Sequence, residues 1–173
     1  MALRLQTMLT GRILPIATLL FVALLSAPVE SAAKKSSGNP FNKLKGYWTG
    51  GGTVTPPKGQ TEKVSCRVTY LVAGSAVTQN MRCAGTDYKF NTRAQLTYSG
   101  GKISGSWSET IYDASGSVSG TARGNTVNAR ISGNKFSGRM NINVSGSRHT
   151  ISIVQLDKRS GSYRKAANVS LHR

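Results

Sequence analysis

Cys66 and Cys83 bracket the sequence CRVTYLVAGSAVTQNMRC, which carries a turn signal at its centre. Gly74-Ser75 places glycine at the first central position of a two-residue turn, as a type II′ β-hairpin requires. With this turn, facing residues lie at equal distances from it, and the two cysteines come directly opposite each other. The stretch therefore predicts an antiparallel hairpin with a cross-strand Cys66–Cys83 disulfide, in a loop of about 18 residues.

The same register divides the hairpin into two faces, because side chains alternate along a β-strand. Val68, Tyr70 and Met81 share the face of the cysteines, which predicts that this face is buried. Arg67 and Arg82 lie on the other face and oppose each other directly. Like charges in that position repel unless an anion or the solvent separates them.

Period-two alternation continues through the rest of the chain, and no helical periodicity of useful length interrupts it. The first strand is expected over residues 48–55 and the last over 163–171, with glycine, asparagine and serine turns between short segments. The pattern predicts an all-β fold, an antiparallel up-and-down meander of nine or ten strands. Closure into a barrel removes the sheet edges, and a β-sandwich is the alternative.

The N-terminal region resembles an export signal. About 15 apolar residues (13–27) follow two arginines and precede a small-residue cleavage site, whereas a membrane-spanning helix needs about 20. We expect a secretory signal peptide at 1–33, a flexible polar tether at 34–42 and a single β-barrel domain at 43–173. The protein is then periplasmic or secreted, a compartment in which two cysteines usually pair.

The chain is strongly basic, with 23 Lys and Arg against 6 Asp and Glu. Removing Arg4, Arg12 and Glu30 with the signal peptide leaves 21 basic and 5 acidic residues, a net charge of +16. Such a surface attracts polyanions. The alternative is that this charge only keeps the protein solvated.

Gly46-Tyr47-Trp48 at the first strand resembles the Gly-x-Trp signature of lipocalins and other calycin barrels. Thr86-Asp87-Tyr88 is similar to the second lipocalin motif but comes too early in the chain. The resemblance implies a barrel that holds a small apolar ligand. It also implies that Trp48 closes one end, under a basic residue from a late strand, for which Arg164 and Lys165 are the candidates.

Residues for catalysis are scarce, so we expect no enzyme and no cofactor. His149 and His172 are the only imidazoles, and no spacing of His, Cys or carboxylates indicates a metal site. No phosphate-binding loop or nucleophile elbow is present. Glu109 shares a face with Trp107 and is a candidate to orient a polar ligand group inside the barrel.

Three functions remain open. The first is binding of a small apolar or amphipathic ligand in the interior, and the second is attachment of a cationic wall to an anionic envelope polymer or membrane surface. The third is inhibition of a secreted protease. Nucleic acid is disfavoured because stacking aromatics are missing from the basic face, and the oligomeric state stays open. The interior candidates are Trp48, Tyr70, Phe90, Trp107, Glu109 and Met140, and the anion-binding candidates are Arg67, Arg82, Arg93, Arg130, Arg139 and Arg148.

Overall fold

The structure is a computed structural model that describes residues 38–56 and 59–173. The expected signal peptide lies outside these residues. Within them, no helix is long and apolar enough to cross a membrane. The elements are a 3-10 helix at Pro40–Lys43 and strands β1 Gly46–Val54, β2 Glu62–Ala73, β3 Ala76–Ala84, β4 Lys89–Ser99, β5 Lys102–Glu109, β6 Ala114–Arg123, β7 Thr126–Gly133, β8 Gly138–Ser145, β9 Arg148–Leu156 and β10 Tyr163–His172.

Each strand pairs antiparallel with its neighbours in the chain, and β1 pairs with β10 to close the ring. The prediction of an up-and-down barrel is therefore confirmed, and the sandwich alternative does not form. Closure gives every strand of the described chain a paired neighbour on each side.

The central hairpin has the predicted register. Cys66 pairs with Cys83 and Arg67 with Arg82, on either side of the turn at Gly74. Gly74 has a φ of 57°, a left-handed conformation that glycine adopts without steric cost. The disulfide forms between the two strands with a Cα–Cα distance of 4.1 Å.

The predicted faces also hold. On β2 and β3 the side chains of Val68, Tyr70 and Met81 are at most 4% exposed, whereas Arg67 and Arg82 are exposed. The core is thus the inside of the barrel, built by every second residue of each strand.

The two ends of the barrel differ in their connections. At one end, two-residue turns join the strands, and each begins with a glycine of positive φ, at 74, 100, 124 and 146. At the other end the connections are longer, at residues 55–61, 85–88, 110–113, 134–137 and 157–162. We call these the closed end and the open end.

A short segment before β1 covers the closed end, which corrects the expected tether. Residues 34–37 lie outside the described chain, but Pro40–Lys43 forms the 3-10 helix, with Phe41 and Leu44 buried beneath it. Asn39 caps this helix by accepting from the Phe41 amide at 3.0 Å, and its side-chain amide donates to the Gly74 carbonyl at 2.9 Å. The barrel domain therefore starts before residue 43.

Candidate ligand-binding mouth and cationic wall

Trp48 is the centre of the closed end. Its side chain is fully buried, and its indole N–H donates to the Leu44 carbonyl at 2.7 Å. The Arg173 guanidinium lies 4.6 Å from the ring centroid and donates to the Lys45 carbonyl at 3.0 Å. A basic residue does cover Trp48, but the expectation of Arg164 or Lys165 was wrong, because ring closure brings the end of β10 to the start of β1.

His149 and Tyr70 pack against Trp48 in the same layer. The His149 ring meets Trp48 edge-on at 4.6 Å and Tyr70 at 5.6 Å. Gln79 donates to the Tyr70 hydroxyl at 3.0 Å, and burial raises the pKa of Tyr70 well above its usual value. Trp48 and Tyr70 face inward as predicted, but both are fully buried and belong to the closure.

His149 is the least satisfied polar group of this layer. It is 1% exposed, and neither ring nitrogen reaches a hydrogen-bond partner in residues 38–56 and 59–173. Burial lowers its pKa from 6.5 to about 4, so the ring is neutral in the folded protein at pH 7.

On β4, β5 and β7–β9 the inward side chains become more accessible towards the open end, whereas Val54, Val64 and Cys83 on β1–β3 stay buried there. On β9, His149 and Ile151 are buried, whereas Ile153 and Gln155 further along the same face are half-buried. Strands β4, β5, β7 and β8 also carry half-buried inward residues in their open-end halves. These are Phe90, Thr92, Trp107, Ile131 and Met140.

Aromatic side chains border this opening in two groups. Tyr88 stacks on Tyr112, with centroids 5.2 Å apart and planes at 14°, and lies 5.9 Å from Phe90. Trp107 meets Phe136 edge-on at 6.2 Å. We call these five residues the mouth aromatics. Alternation gives Phe90, Trp107 and Phe136 an inward direction, whereas Tyr112 lies in a connection where alternation predicts none.

Trp107 has room because its neighbours lack side chains. It pairs with Gly116 on β6, which pairs with Gly133 on β7. A Cβ atom on Gly133 would lie 2.7 Å from Cζ2 of Trp107, so the indole occupies the space that a side chain would take. The backbone spacing thus holds this ring in the opening.

Glu109 is buried beside the first aromatic group and anchors it. One carboxylate oxygen accepts from the Asn91 amide at 2.8 Å and the Ile111 amide at 3.0 Å. The other accepts from the Tyr112 amide at 2.6 Å. The carboxylate is therefore engaged by backbone groups and orients Tyr112, while its direct role towards a ligand stays a prediction.

Tyr88 is affected by this arrangement. Its partial burial, together with nearby Tyr112 and Glu109, raises the pKa of Tyr88 to about 12. The hydroxyl is therefore uncharged at neutral pH and serves as an uncharged hydrogen-bonding group at the rim.

Arg164 supplies an inward cation at the open end. It is half-buried and pairs in register with Gln155, whose amide oxygen accepts from it at 2.5 Å. Its other contacts are the carbonyls of Thr55 and Pro56, at 3.5 Å and 3.4 Å. No carboxylate pairs with it in the described part of the chain.

The outer wall carries the predicted cations. Arg67 faces Arg82 across β2 and β3, and Arg130 faces Arg139 across β7 and β8. Arg93 and Arg148 are also exposed on strands β4 and β9. Among residues 38–56 and 59–173 the single ion pair is Lys135–Asp113 at 3.8 Å, so these six arginines have no acidic partner there.

Two depressions of the described surface are lined mainly by outward residues of the barrel wall. One, of about 410 Å³, crosses β6–β9 and includes Arg130 and Arg139. The other, of about 610 Å³, lies beside Lys63 and Thr86 on β1–β3. Neither depression corresponds to the ligand cavity expected at one end of the barrel. The open end instead provides an accessible layer of side chains.

Within the described residues, no three His, Cys, Asp or Glu side chains cluster as metal ligands would.

Comparison with known proteins identifies the fold. No protein-family model and no curated protein matches the chain. The structure is similar to that of Rv2717c from M. tuberculosis, with a TM-score of 0.65 and 12% identity over 79% of this chain and 98% of that one. It is also similar to the S-type phycobiliprotein lyase CPES from Guillardia theta, with a TM-score of 0.50 and 13% identity over 76% and 88% of the two chains. These likenesses show a shared fold, a closed antiparallel β-barrel.

Proposed function

We propose that the protein is an exported, non-enzymatic barrel that binds a small amphipathic ligand at its open end. The observation that carries this proposal is the contrast between the two ends. One end is sealed by Phe41, Leu44 and Trp48, whereas inward aromatic side chains at the other end keep part of their surface accessible. Accessible aromatic side chains are typical of the lining of small-molecule sites.

The mouth aromatics suit a planar apolar group. Trp107 and Phe136 lie edge-on, and Tyr88 and Tyr112 are stacked, so flat ring faces and edges border the same opening. Aromatic contacts of this kind stabilise a bound ring by about 0.5–1.5 kcal/mol beyond the area that they bury.

Arg164 favours a ligand that also carries an anionic group. A half-buried guanidinium without a carboxylate partner gains a charge-assisted hydrogen bond when an acid binds. An apolar ring system with one carboxylate or sulfonate would therefore meet the mouth aromatics and Arg164 together. The lyase named above acts on phycobiliproteins, and its likeness to this chain supports ligand binding only at the level of a shared fold.

Two fluorescent probes test this function. N-phenyl-1-naphthylamine is neutral, and 1-anilinonaphthalene-8-sulfonate adds a negative charge to a similar ring system. We expect Trp107→Ala to weaken the binding of both by about tenfold, because both stack at the opening. Arg164→Gln should weaken only the sulfonate, by about fivefold to tenfold.

Tyr47→Ala is the matched control. Tyr47 is an exposed aromatic residue that faces outward near the closed end, so its removal should leave both affinities unchanged. Equal losses in Tyr47→Ala and Trp107→Ala would show that the probes stick to any exposed ring, and the proposal would fail.

A further inference from the structure

We propose that the outer depression across β6–β9 is a second binding site, specific for acidic saccharides that carry carboxylate groups. This site is separate from the open end and does not depend on the function proposed above. We call it the arginine groove, and its central residues are Arg130 and Arg139, with Asn128, Asn141 and Ser152 beside them.

The groove is built from two adjacent rows of outward residues. Arg130 on β7 pairs with Arg139 on β8, in a row that continues to Lys165 on β10 through Val154. Asn128 pairs with Asn141 in the next row. One row therefore presents positive charge, and the other presents amides and hydroxyls.

The charge of the arginine row is uncompensated. None of the five acidic residues of the described chain lines the groove, and neither arginine belongs to an ion pair there. Two guanidinium groups directly opposite each other repel, and a carboxylate between them turns that repulsion into two charge-assisted contacts. The guanidinium of Arg139 lies 4.4 Å from the Tyr163 ring centroid, which limits its freedom before a ligand binds.

The amide row matches the rest of a sugar. The Asn141 side chain donates to Asn128 at 2.8 Å, which leaves the Asn141 oxygen and the Asn128 amide protons to bond sugar hydroxyls. Ser152 adds a hydroxyl in the same row, and Ser119 adds one beside Arg130 in the arginine row. Uronic acids combine a carboxylate with such hydroxyls in every residue, so their polymers fit both rows.

Other polyanions fit the groove less well. Binding to a membrane surface combines electrostatic attraction with apolar side chains that enter the lipid. Among the described residues, Tyr163 is the one large exposed apolar side chain in contact with Arg139 of the groove. Single-stranded nucleic acid requires free aromatic faces for stacking, whereas Arg139 covers the Tyr163 ring.

A matched pair of double variants tests the inference. Arg130→Ala/Arg139→Ala removes the groove pair, and Arg67→Ala/Arg82→Ala removes an equivalent cross-strand pair outside the groove. Binding of tetragalacturonate is measured by calorimetry at about 0.15 M salt, where distant surface charges are largely screened. We expect the groove variant to bind at least about tenfold more weakly and the control variant to change less than about threefold.

The fully methyl-esterified tetrasaccharide supplies the second comparison. If the unmodified protein binds tetragalacturonate but not this neutral ester, the result supports recognition of carboxylates. Equal losses of affinity in the two double variants would overturn the inference, because net charge alone would then explain the binding. Tighter binding of a single-stranded oligonucleotide or of anionic phosphatidylglycerol vesicles than of tetragalacturonate would also overturn it, as would the absence of saccharide binding by the unmodified protein.

Discussion

Acidification from pH 7 to pH 4 should lower the free energy of unfolding by about 3 kcal/mol through His149 alone. Burial holds the pKa of this ring at about 4 in the folded protein, against 6.5 for an unperturbed histidine. Between these values the unfolded chain binds the additional proton, so acid favours unfolding. The stabilisation is complete above about pH 6.5 and declines as the pH falls towards 4.

The measurement is urea unfolding at several pH values for the wild-type protein and His149→Leu. Leucine removes both unpartnered ring nitrogens, so the variant should be at least as stable as the wild type at pH 7. It should also lose the part of the slope between pH 6.5 and 4 that His149 contributes. Asp157, whose pKa is lowered first by backbone hydrogen bonds from Arg159 and Ser160, titrates in both proteins and does not distinguish them. An identical slope in the two proteins would contradict the assignment.

Loss of the disulfide is the second large effect. Cys66→Ala/Cys83→Ala should lower the free energy of unfolding by about 3 kcal/mol, because the unfolded chain regains the entropy of a closed loop of about 18 residues. The midpoint temperature of thermal unfolding should fall by about 10 °C for a domain of this size.

A reductant provides the control for this double variant. Dithiothreitol should lower the stability of the wild-type protein to near that of the variant and leave the variant unchanged. Both cysteines are at most 3% exposed, so complete reduction requires prior unfolding in the presence of the reductant. An unfolding midpoint of the wild type that full reduction leaves unchanged would contradict the prediction.

The hairpin and the strand order could be predicted because their information is local. The turn at Gly74, with two cysteines at equal distances from it, defines one register, and this register assigns Arg67 and Arg82 to the outside. Alternation then assigned inward positions such as Phe90 and Trp107. These steps required no contact between distant parts of the chain.

Features that depend on closure could not be predicted in the same way. Arg173 reaches Trp48 only because β10 pairs with β1. Arg130 and Arg139 oppose each other in the structure. Their register could not be predicted, because the four-residue connection at 134–137 is irregular and does not define how β7 and β8 align. The 3-10 helix that covers the closed end was not predicted, because polar residues surround Phe41 and Leu44. The apolar pair itself, just before Trp48, could have indicated a buried segment.

The two tryptophans allow the most direct test of the proposed function, since one lies at each end of the barrel. A ¹⁵N-correlated NMR spectrum reports both indole N–H groups while N-phenyl-1-naphthylamine is added to saturation. Binding at the open end predicts that the Trp107 signal shifts and that the Trp48 signal, whose N–H is held by the Leu44 carbonyl, stays in place. A shift of Trp48 without Trp107, or no shift of either at saturation, would contradict it.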